Sequence, residues 1–275
     1  MISIIIVTHN RLNSLKRCLR SLLSMGNHEI IIVDNGSTDN TSEIVAKEYK
    51  DSVILIRNKT DKSLNHCKSM AIKRSGHEIV AFIDDDCVPC ENWPEIIKRY
   101  LSDPECDMVA GPVRPLNKIK YPKWWQTSLN WAIGLAEIND PDFAPLGCNV
   151  AFKKNVLDRA KEKTISENHN IVYSEDTLRI QNAVKKGYKL KLNNDMIAYH
   201  DIIPEKLSLK YLIRRSWLEG NHWSLSERSA KILIVRGLAS LINPFRFIIT
   251  LNLNYMLRWI VSISYILAFF RKKCA

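Results

Sequence analysis

The chain has 275 residues, 46% of them hydrophobic and 25% charged, with a formal net charge of +11. This is ordinary globular composition, with core enough for one large domain or for one domain and an appendage. Seven cysteines without a repeating spacing argue against a secreted disulfide framework. The positive charge gathers at the end: from Asp201 onward twelve Lys and Arg stand against four acids. A basic, apolar tail points to an anionic membrane surface more than to nucleic acid, and no RNA-binding or helix-turn-helix pattern accompanies it.

The N-terminus, Met1 to Arg11, is apolar but has no basic leading region and breaks early. It reads as a first strand, not a signal peptide, so a reducing cytosolic location is the default expectation. Ile2–Val7 is β-branched and closes at Thr8-His9-Asn10-Arg11. Leu12, Leu15, Leu19, Leu22 and Leu23 then recur at helical spacing up to Met25-Gly26-Asn27. Glu29–Val33 predicts a second strand ending at Asp34-Asn35-Gly36, and Asn40 with Glu43 predicts an N-cap pair for a helix through Tyr49. Further strands are expected at Val53–Arg57, Ile79–Ile83 and Met108–Val113, with helices at Ser69–Ser75 and Trp93–Leu101. Such alternation predicts a mainly parallel α/β sheet covered by helices on both faces. The first strand-to-helix junction has no glycine, so neither a Rossmann fingerprint nor a P-loop is present.

The fourth strand runs straight into three adjacent carboxylates, Asp84, Asp85 and Asp86. Strand ends of this kind face the crevice where open α/β sheets bind ligands. Three carboxylates there repel one another, and a divalent cation relieves the repulsion; hard oxygen ligands suit Mg²⁺ or Mn²⁺, which typically also engages substrate phosphates. The alternative is a solvated strand-to-loop junction. Asp34, at the end of the second strand, can accept hydrogen bonds from a base or ribose, or can simply form the turn before Asn35-Gly36.

Beyond Pro115 the alternation fades. Trp124, Trp125 and Trp131 belong either to a stacking platform or to a core. Gly147-Cys148-Asn149 leads into a strand at Val150-Ala151-Phe152, and Ser174-Glu175-Asp176 opens a helix over Thr177–Lys186. A helix N-terminus lowers the pKa of acids placed there. Short strands are expected at Tyr188–Leu192 and Met196–Tyr199, followed by His200. Leu207–Leu218 and Ser229–Leu241 read as helices, with Pro244 as an interruption, and Phe247–Phe270 is a long apolar stretch ending in Arg271-Lys272-Lys273. It is long enough to span a bilayer, but Arg258 would then lie near the centre at a cost of roughly 2.5–3.5 kcal/mol. A helix in the membrane interface, anchored by Tyr255 and Trp259, is the preferred reading; packing on the catalytic domain or a second subunit, and spanning, are the alternatives.

These motifs, in this order, resemble family 2 glycosyltransferases of the GT-A fold. The resemblance covers roughly residues 1–202, leaving 203–275 as a helical, basic extension. Val7 to Arg11 resembles the opening strand motif, and Ile32 to Asp39 the uridine-contact motif. Phe82 to Asp86 resembles the aspartate-x-aspartate metal motif, and Gly147 to Phe152 the segment on the acceptor side. Glu175-Asp176 resembles the acid pair holding the catalytic base, and Tyr199-His200 the closing motif. The resemblance implies an inverting transfer from a nucleotide-diphosphate sugar, UDP-linked by preference, to a hydroxyl acceptor; the basic tail suggests an acceptor that is lipid-linked or a growing surface polysaccharide. It implies Asp176 as general base, with Glu175 orienting it or contacting the acceptor. It also implies Thr8, Asn10, Arg11, Asp34, Asp84 and Asp85 as donor contacts, Gly147 and Asn149 on the acceptor side, and Mg²⁺ or Mn²⁺ at Asp86, Asp84 and His200. The family's Gly and Arg-Asn before the metal strand are replaced by Asp61 to Ser69, in which Lys68 would stand for the arginine at the diphosphate. At a helix N-terminus Asp176 would be a weak base, so burial or a neighbouring acid is expected to offset the dipole.

Three other readings stand beside this one. Asp84-x-Asp86-x-Val88 fits a phosphatase-type nucleophile motif, though it follows the fourth strand rather than the first. Cys87-Val88-Pro89-Cys90 has thioredoxin-like spacing, but three aspartates before Cys87 oppose a reactive thiolate; with His66 and Cys67 these cysteines are alternatively zinc ligands. Last, a nucleotide-sugar-binding protein without turnover would have no need of the Glu175-Asp176 pair.

Overall fold

A computed structural model of the chain describes residues 1–60, 62–140, 143–159, 175–226 and 230–271. Asp61, Ser174, Ser229, Lys272 and Lys273 fall outside the described residues, as does the side chain of Glu175. The chain divides into two compact units, one built from 1–116, 136–159 and 175–201, the other from 117–135 and 202–271. Residues 117–135 thus join the helical unit although they precede much of the first unit in sequence.

The first unit begins β1 (Ser3–Thr8), α1 (Leu12–Ser24), β2 (Glu29–Asn35), α2 (Thr41–Glu48), β3 (Ile54–Asn58), α3 (Leu64–Arg74), β4 (Ile79–Phe82), β5 (Cys87–Pro89) and α4 (Trp93–Leu101). It continues with β6 (Met108–Ala110), β7 (Val113–Pro115), β8 (Val150–Lys153), α5 (Lys154–Arg159), α6 (Glu175–Lys185), β9 (Leu190–Leu192) and β10 (Ala198–His200). Seven strands form one sheet in the order β3-β2-β1-β4-β8-β6-β9, and β8 alone runs against the rest. The mainly parallel architecture expected from the sequence is therefore present. Its strands are apolar without alternation because both faces are covered: Ile4, Ile5, Ile6, Val80, Phe82, Val150 and Phe152 have essentially no exposed surface.

Several boundaries differ, each for a local reason. The third helix begins at Leu64 rather than Ser69, because Ser63 caps it by accepting from the His66 N–H at 3.2 Å. Asn40 does not cap α2; it is left-handed, with φ 61°, and its side chain makes no cap bond. Asp39 takes the role, accepting from the Thr41 N–H at 3.2 Å, while Glu43 turns to Arg57. The expected strand Met108–Val113 breaks at Gly111-Pro112. A β-carbon at Gly111 would lie 1.8 Å from the Met196 carbonyl oxygen, and proline has no N–H for the ladder. The chain passes there into a second sheet of order β5-β10-β7.

Asn149 fastens this corner together. It is fully buried, accepts from the Trp93 indole N–H at 2.8 Å, and donates to the carbonyls of Pro112 at 2.8 Å and Met196 at 2.6 Å.

The second unit holds α7 (Leu209–Ser226), α8 (Ala230–Thr250) and α9 (Leu253–Arg271), with 3₁₀ turns at Thr127–Ile133 and Pro204–Leu207. Helices α7 and α9 approach closely at Gly220, where a β-carbon would fall 2.2 Å from the Val261 carbonyl oxygen. Trp131 belongs to this packing, donating its indole N–H to Asn254 at 3.0 Å under the Arg215 guanidinium. Pro244 does not interrupt the chain; α8 runs through it. The break comes at Leu251, with φ 50°, after which Asn252 caps α9 by accepting from the Asn254 N–H at 2.9 Å. The apolar stretch read as one segment is thus divided between two helices. Two helical segments, Lys231–Thr250 and Leu253–Phe270, are long and apolar enough to cross a membrane.

Asn149→Ala is expected to destabilise the first unit by roughly 2–4 kcal/mol, since it strands an indole N–H and two carbonyls away from water. A lower urea midpoint at unchanged slope would be the sign; an unchanged midpoint would show that the corner is held by packing alone.

Candidate active site

Parallel pairing brings three strand ends to one edge. Thr8 lies opposite Asp34 across β1 and β2, and Ile5 opposite Phe82 across β1 and β4, so the acids that follow Phe82 emerge beside Thr8. Thr8 Oγ1 donates to Asp85 Oδ2 at 2.7 Å. Arg11 Nη1 reaches both Asp85 Oδ1 at 3.1 Å and Asp86 Oδ2 at 3.0 Å. Burial pushes the Asp85 carboxyl up to about 6 even against the pull of Arg11. Burial likewise opposes the Arg11 charge, but Asp85 and Asp86 outweigh it and keep the guanidinium firmly protonated.

The small sheet completes the corner from the far end of the first unit. His200 on β10 pairs antiparallel with Cys87 on β5, and the Asp201 N–H donates to the Asp86 carbonyl at 2.9 Å. This register sets His200 Nε2 at 3.3 Å from Asp86 Oδ2.

Asp176 approaches from the first turn of α6. Its Oδ2 accepts from Lys68 Nζ at 2.5 Å, a pair in which the lysine side chain is only 3% exposed. Its Oδ1 is buried with no hydrogen-bond partner among the described residues, an arrangement that calls for an explanation in a native site. A β-carbon at Gly147 would lie 1.8 Å from Asp176 Oδ2, so only glycine lets the loop pass this carboxylate. Burial alone would raise the Asp176 carboxyl, but Lys68 and Arg179 outweigh it and hold it below the usual carboxylate range. The offset anticipated for the helix dipole is therefore overridden: a buried ammonium, not an acid, is the neighbour. Asp84 joins the two halves. Burial pushes its carboxyl up, Lys68 and His200 pull it down, and Asp86 and Asp176 add to the rise.

The site residues thus fall into a connected group of Thr8, Arg11, Lys68, Asp84, Asp85, Asp86, Gly147, Asp176 and His200. Asp34 stands apart at the neighbouring strand end, with Oδ1 accepting from the Ser37 N–H at 2.9 Å and Oδ2 from Ser42. Asn10, left-handed at φ 52°, braces the same loop by accepting from the Thr38 N–H at 2.7 Å. Asn149 has no surface to offer a ligand. Lys68, expected at a diphosphate, instead lies buried against Asp176, with its ammonium 4.9 Å from the Phe82 ring centroid. Arg179 was missed by the sequence reading. It bonds Asn65, lies over Phe82, and bears on Asp176, yet only its place one turn beyond Asp176 on α6 hinted at this.

A divalent cation fits these donors. Among the described residues, ligand atoms of Asp86, Cys87 and His200 all lie within 4.8 Å of one another. The Cys87 thiol is pushed well above its ordinary value by its hydrogen bond to Cys148 and by burial, so it stays protonated. What remains is carboxylate and imidazole, a set suited to Mn²⁺ or Mg²⁺ rather than to a thiolate-bound zinc. Cys67 is committed elsewhere, donating to Asn35 Oδ1 at 3.1 Å. Cys90 donates to the Asp195 carbonyl at 3.2 Å, and burial raises its thiol too, so the Cys-x-x-Cys pair lacks the thiolate that redox chemistry needs.

Comparison with known proteins bears on the family and the fold. The family model described as glycosyl transferase family 2 matches residues 3–160. Glycosyltransferase AglE of Haloferax volcanii is 26% identical over 251 residues, spanning 84% of this chain and 76% of that protein. The poly-β-1,6-N-acetyl-D-glucosamine synthase of Staphylococcus aureus is 23% identical over 240 residues, and the match spans 54% of its length. Two solved structures share the fold. A mannosyltransferase from Pyrobaculum calidifontis, in complex with GDP-mannose and Mn²⁺, has a TM-score of 0.63 at 16% identity, covering 99% of this chain and 86% of that one. TarS of S. aureus, residues 1–349 in complex with UDP-GlcNAc, has a TM-score of 0.57 at 15% identity, covering 99% and 91%. With the family model matching more than half of its residues, the chain belongs to glycosyl transferase family 2.

Proposed function

We propose that this chain transfers a sugar, with inversion, from a nucleotide-diphosphate donor, UDP-linked by preference, to a hydroxyl of a glycan or lipid-linked acceptor on the cytoplasmic side of a membrane. The observation that carries the reading is Asp176: a buried, anionic carboxylate with one oxygen unpartnered, electrostatically linked through Lys68 and Asp84 to the acid cluster.

In this reading residues 1–202 act as the transferase domain and 203–275 as its basic extension. Asp34 and Thr8 receive the nucleoside, with Asn10 holding the loop between them. Arg11 and Asp85 position the ribose and diphosphate, and Asp84 reaches the donor from the strand end. Asp86, with Asp84 and His200, would hold Mg²⁺ or Mn²⁺. Such an ion neutralises charge developing on the leaving diphosphate. The acceptor hydroxyl attacks the anomeric carbon from the face opposite the diphosphate, forming a C–O bond as the bond to the phosphate oxygen breaks. Its proton passes to Asp176 Oδ1, and Glu175 would orient that carboxylate or contact the acceptor. Gly147 leaves Asp176 room, and Asn149 holds the acceptor-side loop from within.

A carboxylate held below its ordinary pKa is a weak base in the ground state. The attacking oxygen becomes strongly acidic only as its new bond forms, so an anion already in place suffices. Lys68 positions that anion and keeps it charged. Its aromatic and acidic surroundings fix the ammonium, which leaves Asp176 Oδ1 free for the acceptor.

Three outcomes test the reading. Asp176→Asn should lower transfer by about 10²–10⁴-fold while donor binding stays within a few fold by calorimetry; equal loss of both would move Asp176 out of the base role. Lys68→Met should shift the acidic limb of the kcat profile upward. Burial, no longer opposed by the ammonium, would raise the Asp176 carboxyl, and activity lost on acidification would be lost at a higher pH; an unmoved limb would leave Lys68 merely structural. EDTA should abolish transfer and Mn²⁺ restore it, whereas full activity in EDTA would remove the cation from the reading.

A further inference from the structure

The second unit contains a helix that leaves a long row of large apolar side chains exposed. On α8 large apolar side chains recur at helical spacing along the exposed side, among them Ile234, Leu238, Leu241, Phe245, Ile248 and Ile249, each between 55% and 80% exposed. Two polar side chains of the same helix are withdrawn from the surface: Asn243 is buried and Arg236 partly so. A water-facing helix is normally polar on its outer face and apolar within. An apolar stripe this long, left uncovered within its own unit, marks a surface that another phase or partner covers.

Charge decides between occupants. Lys231 stands exposed at the start of the stripe and Arg246 near its end, where its guanidinium lies 5.7 Å from the Tyr255 ring centroid. Lys210 and Arg214 on α7 are exposed as well, beside exposed Leu209 and Ile213. From Asp201 onward basic residues outnumber acids twelve to four. A second copy of this chain would bring two such basic surfaces together, and their repulsion would oppose the contact. An anionic bilayer supplies both what the stripe lacks, an apolar medium, and what the flanking bases attract, negative headgroups.

We propose that the outward face of α8, rather than the Phe247–Phe270 stretch as a whole, is the membrane-docking surface of this protein, seated in the acyl region of an anionic bilayer with Lys231 and Arg246 at the headgroups. Helix α9 then serves as its packed support, consistent with the buried Leu257, Val261 and Tyr265.

The test uses the full chain, purified in detergent and diluted into vesicles of phosphatidylcholine alone or mixed with phosphatidylglycerol. The protein should float with the mixed vesicles about 10-fold more than with the neutral ones. The surface variant Leu238→Gln/Leu241→Gln/Phe245→Gln/Ile248→Gln should lose that flotation while keeping its helical circular dichroism and its nucleotide-sugar binding. A fluorophore on Ile249→Cys should be quenched by lipids brominated in the acyl chain. Unquenched label, equal flotation of the variant, or a stable dimer in place of vesicle binding would each overturn the assignment. Nucleotide-sugar binding reads the first unit separately, so failure here leaves the transferase reading to its own tests.

Discussion

Three carboxylates at the end of one strand cannot all remain charged and buried unless positive charge meets them from several directions. The first unit is arranged around meeting that demand. Arg11 comes from the loop after β1 and Lys68 from α3, while the His200 imidazole approaches Asp86 from β10. None of these contacts is strong evidence of stability, since desolvating such pairs offsets much of their attraction. Their value is positional. In the proposed transfer they would fix where a cation, a diphosphate and a deprotonated acid stand relative to one another, and preorganised charge of this kind is a large electrostatic lever for an enzyme.

The two acids with the clearest separation of roles illustrate how environment divides identical chemistry. Asp85 and Asp176 are both buried, yet burial wins at Asp85 and raises its carboxyl, whereas at Asp176 the ammonium of Lys68 and the guanidinium of Arg179 win and lower it. Net direction follows from the number and proximity of cations, not from burial alone. A cation held at Asp86 would add to the charge compensation that Arg11 already supplies there.

The strands and the acid cluster were legible in the sequence because they depend on local signals: β-branched runs, a turn, a run of identical side chains. Helix α4 and the main parallel sheet followed from the same signals. Other features rest on contacts between distant residues. Lys68 and Asp176 are 108 positions apart, and nothing near Lys68 in sequence distinguishes an ammonium aimed at a carboxylate from one aimed at phosphate. Asn149 was expected on the acceptor side by resemblance alone; its three interior bonds come from segments scattered over some hundred residues. The division of the apolar tail was hidden for a different reason. Proline 244 is a breaker in principle, costing about 3 kcal/mol inside an ordinary helix, but the turn was made at Leu251 and Asn252, where the cap lies.

The small three-stranded sheet has a consequence beyond its size. His200 reaches Asp86 only because Ala198, Tyr199 and His200 pair with Pro89, Val88 and Cys87 in one register. Neighbouring side chains on a strand point to opposite faces, so a frame error of a single residue would turn the imidazole away and present Tyr199 in its place. The sheet therefore behaves as an alignment key. Long insertions elsewhere between β7 and β10 leave the key intact, whereas one residue gained or lost between Met196 and His200 disarms the corner with the large sheet untouched.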